Sequence, residues 1–351
     1  MPSLNLESFG DLVEASIIKY RRGDYVSLIT DLVNHPAYDM LVKKSMADSV
    51  DISSYQYQWP VRIGTAGSFR FVAPTTPDLA TMSDDFTHCR LPIRKMEVGY
   101  AFLEEMIDFN MGPEQVFDLV KAKEAGADFD FAEGFENAWW SFTSASNTLS
   151  FYGLPYYVTK NSTVGFNGGA PTGYTTVAGL SPTTYARWQN YSGNYTNVAL
   201  DDLIDKMRTM AEATNFVPVL ANEKQIVTAN QNKLGYYMNQ ATKKVFENVA
   251  DSRNDNLGTD VAKNDNKVTF RGTPITYVSW LDQDTTNPVY QLNWNTWRLL
   301  VRKKWWMKRK TLAPYPGQRN QVAVFKDTYC QPACFDRRRN GILATATTYP
   351  S

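Results

Sequence analysis

The residues able to do chemistry are few, and their spacing does not suit it. Only two histidines occur, His35 and His88. A zinc-protease helix needs two histidines four apart with a glutamate beside the first, and these two are far outside that spacing. No G-x-S-x-G elbow presents a serine to a base. The segment Gly168-Gly-Ala-Pro-Thr-Gly173 has the glycine spacing of a phosphate-binding loop, but Tyr174 stands where the phosphate-binding lysine must be. Cys330 and Cys334 form a C-x3-C pair with no second pair to complete a zinc site. On a strand they share a face and serve as small apolar fillers. His88 and Cys89 are adjacent, and in an extended segment adjacent side chains point to opposite faces, so they do not form a base–nucleophile pair. The carboxylate pairs Asp84-Asp85, Glu104-Glu105 and Asp201-Asp202 suit a solvated surface. A carbohydrate-active hydrolase would need two such acids converging across a cleft, and that stands as the enzymatic alternative. The expectation is a chain with no catalytic set, no cofactor and no metal.

Charge is more informative by position than in total. Lys+Arg and Asp+Glu are both 36, so the formal net charge is zero. Between Arg298 and Arg339, however, stand twelve basic residues, opposed only by Asp327 and Asp336. The rest of the chain is correspondingly acidic. A basic surface is expected from Arg302, Lys303, Lys304, Lys308, Arg309, Lys310, Arg337, Arg338 and Arg339. It suits a face that meets an acidic neighbouring subunit or a phosphate backbone. Trp305 and Trp306 lie inside this run. They allow stacking on single-stranded bases, or they are the inward half of an alternating strand.

The elements that must carry these residues follow from periodicity. The 351 residues allow two or three domains, and 43% hydrophobic content excludes global disorder. Three cysteines are too few, and odd in number, for a disulfide framework. The N-terminus shows no basic and apolar signal pattern, and no run of 18 apolar residues occurs, so no membrane partner is expected. Residues 9–46 carry helical spacing and read as an arm. Tyr55, Tyr57 and Trp59 alternate with polar residues, and a Gly-rich turn leads to Phe69 and Phe71, which suggests a long hairpin over 51–95. Its exposed contacts are expected at Tyr55, Tyr57, Trp59, Arg62 and Arg70. A strand follows from Ile93. Pro113 after Gly112 opens a helix that runs to about Ser146. Residues 151–199 are polar and rich in Gly, Thr, Tyr and Asn. A helix over 201–213, strands and helices to 250, and strands from 268 to 342 complete the chain.

This order resembles the major capsid proteins of tailed bacteriophages, the Hong Kong 97 fold. Gly112-Pro-Glu-Gln-Val-Phe-Asp-Leu-Val120 resembles the start of that family's spine helix. Gly153-Leu-Pro155, Tyr185-Ala-Arg-Trp-Gln-Asn190 and Leu200-Asp-Asp-Leu203 resemble the segments after the spine. Phe270-Arg-Gly-Thr-Pro-Ile275 with Trp280-Leu-Asp282 resembles its late hairpin, and Arg337-Arg-Arg-Asn-Gly341 its closing strand. The resemblance implies an α+β fold with an N-terminal arm at 1–50 and an extended hairpin loop at 51–95. It places a peripheral domain with the spine helix at 96–151, an axial domain at 152–316 and a return to the peripheral domain at 317–351. It implies self-assembly into pentamers and hexamers of an icosahedral shell around double-stranded DNA contacted non-specifically. Portal, scaffolding and decoration proteins are the further implied partners, in a virion assembled in the host cytoplasm. An encapsulin-like compartment or another phage structural protein is the alternative within that resemblance.

Overall fold

The computed structural model describes residues 34–43, 50–64, 71, 73, 85–103, 105, 113–216, 234–251, 268–312, 317 and 320–345. In chain order the strands are β1 (Val50–Ile52), β2 (Gln56–Arg62), β3 (Phe86–Pro92), β4 (Arg94–Leu103), β5 (Gly165–Gly168), β6 (Asn190–Asn194) and β7 (Leu234–Met238). Then come β8 (Thr269–Phe270), β9 (Thr273–Tyr277), β10 (Val289–Asn293), β11 (Trp297–Arg302), β12 (Lys308–Leu312), β13 (Gln321–Cys334) and β14 (Gly341–Ala344). The helices are α1 (Pro36–Tyr38), α2 (Pro113–Trp140), α3 (Leu154–Tyr157), α4 (Asp205–Ala213) and α5 (Gln240–Asp251).

Three sheets form among the described residues. The first is built on β13, which takes β4 along one edge and β12 and then β11 along the other, with β1 parallel to β11. The second has the order β5-β6-β14-β10-β7-β9-β8. The third is the antiparallel pair β2–β3, with Trp59 opposite Cys89. That pair lies within the 51–95 hairpin read from the sequence, but its second strand is β3 and not the stretch directly after the Gly-rich turn: Phe71 is in no strand, and β3 begins inside the segment 74–89 read as loop, because it is 86–92 whose backbone pairs with β2. Phe69, expected on the second strand, and Arg70, expected as a hairpin contact, lie outside the described residues.

The helix α2 lies along the first sheet, and the pleat of β13 shows how it is held. Lys326 points toward α2, where its ammonium meets Asp128 at 2.6 Å and Glu124 at 3.1 Å. Its neighbour Asp327 points the opposite way, as strand alternation requires. One turn from the end of α2, buried Glu136 accepts the backbone N–H groups of Ala37 (3.1 Å) and Tyr38 (2.8 Å) and the indole N–H of Trp140 (2.6 Å). The carboxylate thereby satisfies the free N–H groups that begin α1. Part of the expected arm, 34–43, thus packs on its own subunit. Residues 1–33 lie outside the described residues.

Two cores result. One gathers Phe135, Trp139 and Trp140 of α2, the hairpin stem, and β11 with β13. The other lies under the second sheet, where Leu203, Met207, Met210 and Ala211 are buried at the spacing expected for an amphipathic helix. Cys330 and Cys334 share one buried face of β13, and Cys89 is buried while His88 is exposed, as the strand reading anticipated. Gly153 lets the chain leave α2. A Cβ there would sit 2.6 Å from the carbonyl oxygens of both Ala138 and Trp139. Pro155 then fits the first turn of α3, where its missing N–H costs no bond.

The expected boundaries shift in three places. The helix stops at Trp140 and does not continue to Ser146, because Asn147 and Thr143 fold 141–150 into turns. The Asn147 side chain accepts from Leu149 and Ser150, and the Thr143 hydroxyl donates to the carbonyl of Phe151. The strands β11 and β12 fall inside the expected axial range 152–316 but join the sheet of β4 and β13. Conversely β14, expected to return to the peripheral domain, sits between β10 and β6 in the second sheet. In both cases hydrogen-bond pairing across long sequence separations decides membership.

Candidate functional site

The basic run converges on one tryptophan. β11 ends at Arg302, and residues 303–307 loop out before the chain resumes in the same direction along β13 as β12. Lys304 and Met307 adopt positive φ of 63° and 47°. The turn is tied down where the Tyr329 N–H donates to the Trp305 carbonyl at 3.1 Å and the Trp305 N–H to the Arg302 carbonyl at 2.9 Å. The Trp305 ring packs edge-on to Tyr329, with centroids 5.0 Å apart. Around it stand the ammonium of Lys308 at 4.3 Å, that of Lys310 at 5.2 Å and the guanidinium of Arg302 at 5.5 Å. Arg302 also lies 4.2 Å from the ring of Tyr55, which is 61% exposed. Cations held over π faces in this way gain roughly 0.5–2 kcal/mol each. Lys303, Lys304 and Arg309 are exposed on the same turn and strand.

One buried acid balances this group. Asp327 is 1% exposed and is bridged by Lys95 of β4 at 2.9 Å and Lys310 of β12 at 3.2 Å. Burial alone would raise its carboxyl pKa, but the two lysine hydrogen bonds outweigh burial and hold it below the usual range. Lys95 is raised by its hydrogen bonds to Glu97 and Asp327. With its own cations already around the Trp305 ring, the surface suits anionic groups such as carboxylates or phosphates better than stacked bases.

The basic residues near the end of the chain do not join this surface. Arg337, expected on it, is fully buried. Its guanidinium donates to the carbonyls of Tyr157 (2.6 Å), Trp188 (2.7 Å), Gly169 (2.9 Å) and Gly168 (3.3 Å) and to Oδ1 of Asn190 (3.1 Å). No carboxylate faces it among these contacts, and burial lowers its pKa to about 10. Its five acceptors come from the polar stretch 151–199, which lacks regular structure over much of its length and is organised around this cation. Arg338 and Arg339 stay nearer the surface and turn back on Asp336, which Arg338 meets at 3.0 Å and Arg339 at 3.6 Å.

The hairpin residues also divide. Tyr55 reaches the basic surface. Tyr57 stacks on Trp59 with centroids 5.8 Å apart. Trp59, expected as an outward contact, is 5% exposed and packs on Phe335 of its own chain at 5.0 Å. The hairpin needs that anchor because an isolated pair of strands is marginal in water. Arg62 is exposed at the end of the stem and donates to the Gly64 carbonyl. Arg70 lies outside the described residues.

Among the acid pairs, Asp202 is committed to structure. It accepts the N–H groups of Thr196 and Asn197 and pairs with Lys206 at 2.6 Å. Asp84 and Glu104 lie outside the described residues. No group of three metal-ligating side chains is found among the described residues, and no described helix is long and apolar enough to cross a membrane. Sequence reading missed Lys95 and Glu136. It also missed that the two lone acids of the basic run, Asp327 and Asp336, are the residues that organise it. Their isolation among twelve cations was the available signal.

No family model matches the chain, and no curated protein matches it in sequence. Solved structures do match. The capsid subunit of cyanophage A-1(L) superposes with a TM-score of 0.65 at 16% identity, covering 93% of this chain and 96% of that one. The capsid of a native GTA particle gives 0.57 at 12% identity, covering 92% and 95%. The chain has the Hong Kong 97-type capsid fold. The SrpI encapsulin of Synechococcus elongatus shares it, with a TM-score of 0.51 at 9% identity over 95% of this chain and 96% of that one.

Proposed function

We propose that the chain is a major capsid protein, a virion structural protein of a tailed bacteriophage. It self-assembles as pentamers and hexamers into an icosahedral shell that encloses double-stranded DNA. The observation that carries this reading is the likeness to a cyanophage capsid subunit over 93% of the chain. Two features of the molecule support it. The hairpin stem is a sheet of two strands with exposed Tyr55 and Phe86, the form expected of a limb completed by a neighbour. The turn around Trp305 concentrates positive charge in a chain of zero net charge, which suits heterologous contacts in which unlike faces of successive copies meet. Portal, scaffolding and decoration proteins are the further partners this role implies. The role requires no catalytic chemistry.

The test is direct. The purified full-length protein, alone or with its scaffold, is expected to sediment as capsomers or shells and to show closed particles in negative-stain micrographs. A strictly monomeric species at high concentration under both conditions overturns the reading. The likeness to the SrpI encapsulin favours one second reading, a compartment loaded with protein. Particles that carry protein cargo and no nucleic acid would support it.

A further inference from the structure

The helix α2 has one face that its own subunit leaves open. Gly126, Phe129, Asp130, Glu133 and Asn137 fall within an arc of about 100° on the helix, and none of them is buried. From Glu124 to Trp140 the sequence carries five acids and no cation. Glu124 and Asp128 hold Lys326, and Glu136 caps α1. Asp130 and Glu133 meet no cation among the described residues. Phe129 stands beside them, 51% exposed. The glycines are an independent sign. A glycine inside a helix costs stability relative to alanine, yet a Cβ at Gly126 or at Gly134 would meet nothing within 4 Å. Nothing among the described residues of the subunit requires glycine at either place, whereas a close approach from outside does.

We infer that this face receives the basic turn around Trp305 of a second copy. Arg302, Lys303, Lys304 and Lys308 meet no carboxylate among the described residues. Asp327, the buried acid beside the turn, is already shared by Lys95 and Lys310. The open carboxylates of the helix thus match the open cations of the turn, and Phe129 brings an aromatic ring to exposed Tyr55. The lysine stems need room close to the helix, and Gly126 and Gly134 leave it. The pairing cannot close within one subunit. There the turn meets α2 through Trp306, whose ring lies 5.9 Å from that of Phe131. Phe131 is buried and sits about 130° round the helix from the centre of the open face, so that face looks away from its own turn. The two surfaces of one chain therefore serve two different contacts, which is the arrangement that joins copies head to tail.

This inference rests on the assembly reading above, and the experiment separates the two. The full-length chain is produced with the photo-crosslinker p-benzoyl-phenylalanine at exposed Asn137 and mixed with isotopically heavy wild-type chain before assembly. Particles in micrographs report on assembly, and the masses of crosslinked peptides report on the contact. The expected product joins position 137 to a heavy peptide containing Trp305. Particles in which position 137 joins another segment, or no heavy peptide, overturn the inference and leave the assembly reading intact. If the wild-type chain forms no particles, the assembly reading falls and the inference with it. If the labelled chain is left out of the particles, charge exchange decides. Asp130→Lys with Glu133→Lys, and Lys303→Glu with Lys304→Glu, are each expected to lower particle yield at least tenfold, and the four changes together to restore it. None of these side chains makes a hydrogen bond or ion pair among the described residues, so folded subunits are expected. A folded quadruple variant that does not recover refutes the pairing. Gly126→Ala with Gly134→Ala is expected to raise the unfolding midpoint of the unassembled subunit and yet lower particle yield. An unchanged yield refutes the close approach.

Discussion

Replacing Arg337 by lysine is expected to destabilise the subunit severely even though the charge is kept. Three of its five hydrogen bonds are 2.9 Å or shorter, to the carbonyls of Tyr157, Trp188 and Gly169. Hydrogen bonds from a charged donor contribute about 1.5–3 kcal/mol each, and a buried acceptor left unpaired costs a similar amount. A guanidinium spreads its donors over a planar fork. An ammonium places three on one atom and cannot span acceptors on residues 157, 168, 169, 188 and 190. Losing two of the three short bonds costs about 3–6 kcal/mol, a large share of the roughly 5–15 kcal/mol that holds a domain folded. Arg337→Met removes all donors and is expected to cost more. The assay is urea unfolding of unassembled subunits followed by tryptophan fluorescence, since Trp188, Trp294 and Trp297 lie in this part of the core. If the lysine variant unfolds within about 1 kcal/mol of wild type, the carbonyls have another way to be satisfied. The view that this cation organises 151–199 would then be wrong.

Two further outcomes can be measured on the same subunits. Asp327→Asn is expected to cost about 2 kcal/mol at neutral pH, because both lysines lose their counter-charge. The Asp327 carboxyl is held below its usual value of 3.8, so in wild type its contribution is present above that pH and is lost as pH falls through the lowered value. The variant should lack that acid-side loss. Glu136 behaves in the opposite sense. Burial raises its carboxyl from 4.5 to about 7 against the hydrogen bonds from Trp140, Tyr38 and Ala37. Its contribution is then fully present below 4.5 and declines by about 3 kcal/mol as pH rises through 7. Glu136→Gln should flatten stability over that interval, and an unchanged pH profile would refute the assignment.

Local pattern reported local structure well. Pro113 after Gly112 marked the start of the long helix α2, the buried spacing of Leu203, Met207 and Met210 identified the helix face, and strand alternation placed Cys330 and Cys334 on one side. The fold itself was legible only through the shared order of several weak segment resemblances. What pattern did not report was partnership. Alternation says that β11 and β14 are strands and which side chains share a face, but not that one pairs with β13 while the other lies beside β6, about 150 residues away. The site shows the same limit. Clustering in sequence grouped Arg337 with Arg338 and Arg339, yet a guanidinium ringed by carbonyls is as well placed inside as out. Only the fold brings Tyr157, Gly169 and Trp188 around it.

The adjacent residues Lys326 and Asp327 have a mechanical consequence. A slide of β13 by one residue would turn each to the other's side, setting Lys326 against Lys95 and Lys310 and Asp327 against Glu124 and Asp128. Like charges would then meet on both faces at once. The longest ladder among the described residues therefore carries its own detent: it can flex, but a single-residue step is opposed on both faces. A container wall loaded from within would rely on ribs of that kind to keep their length.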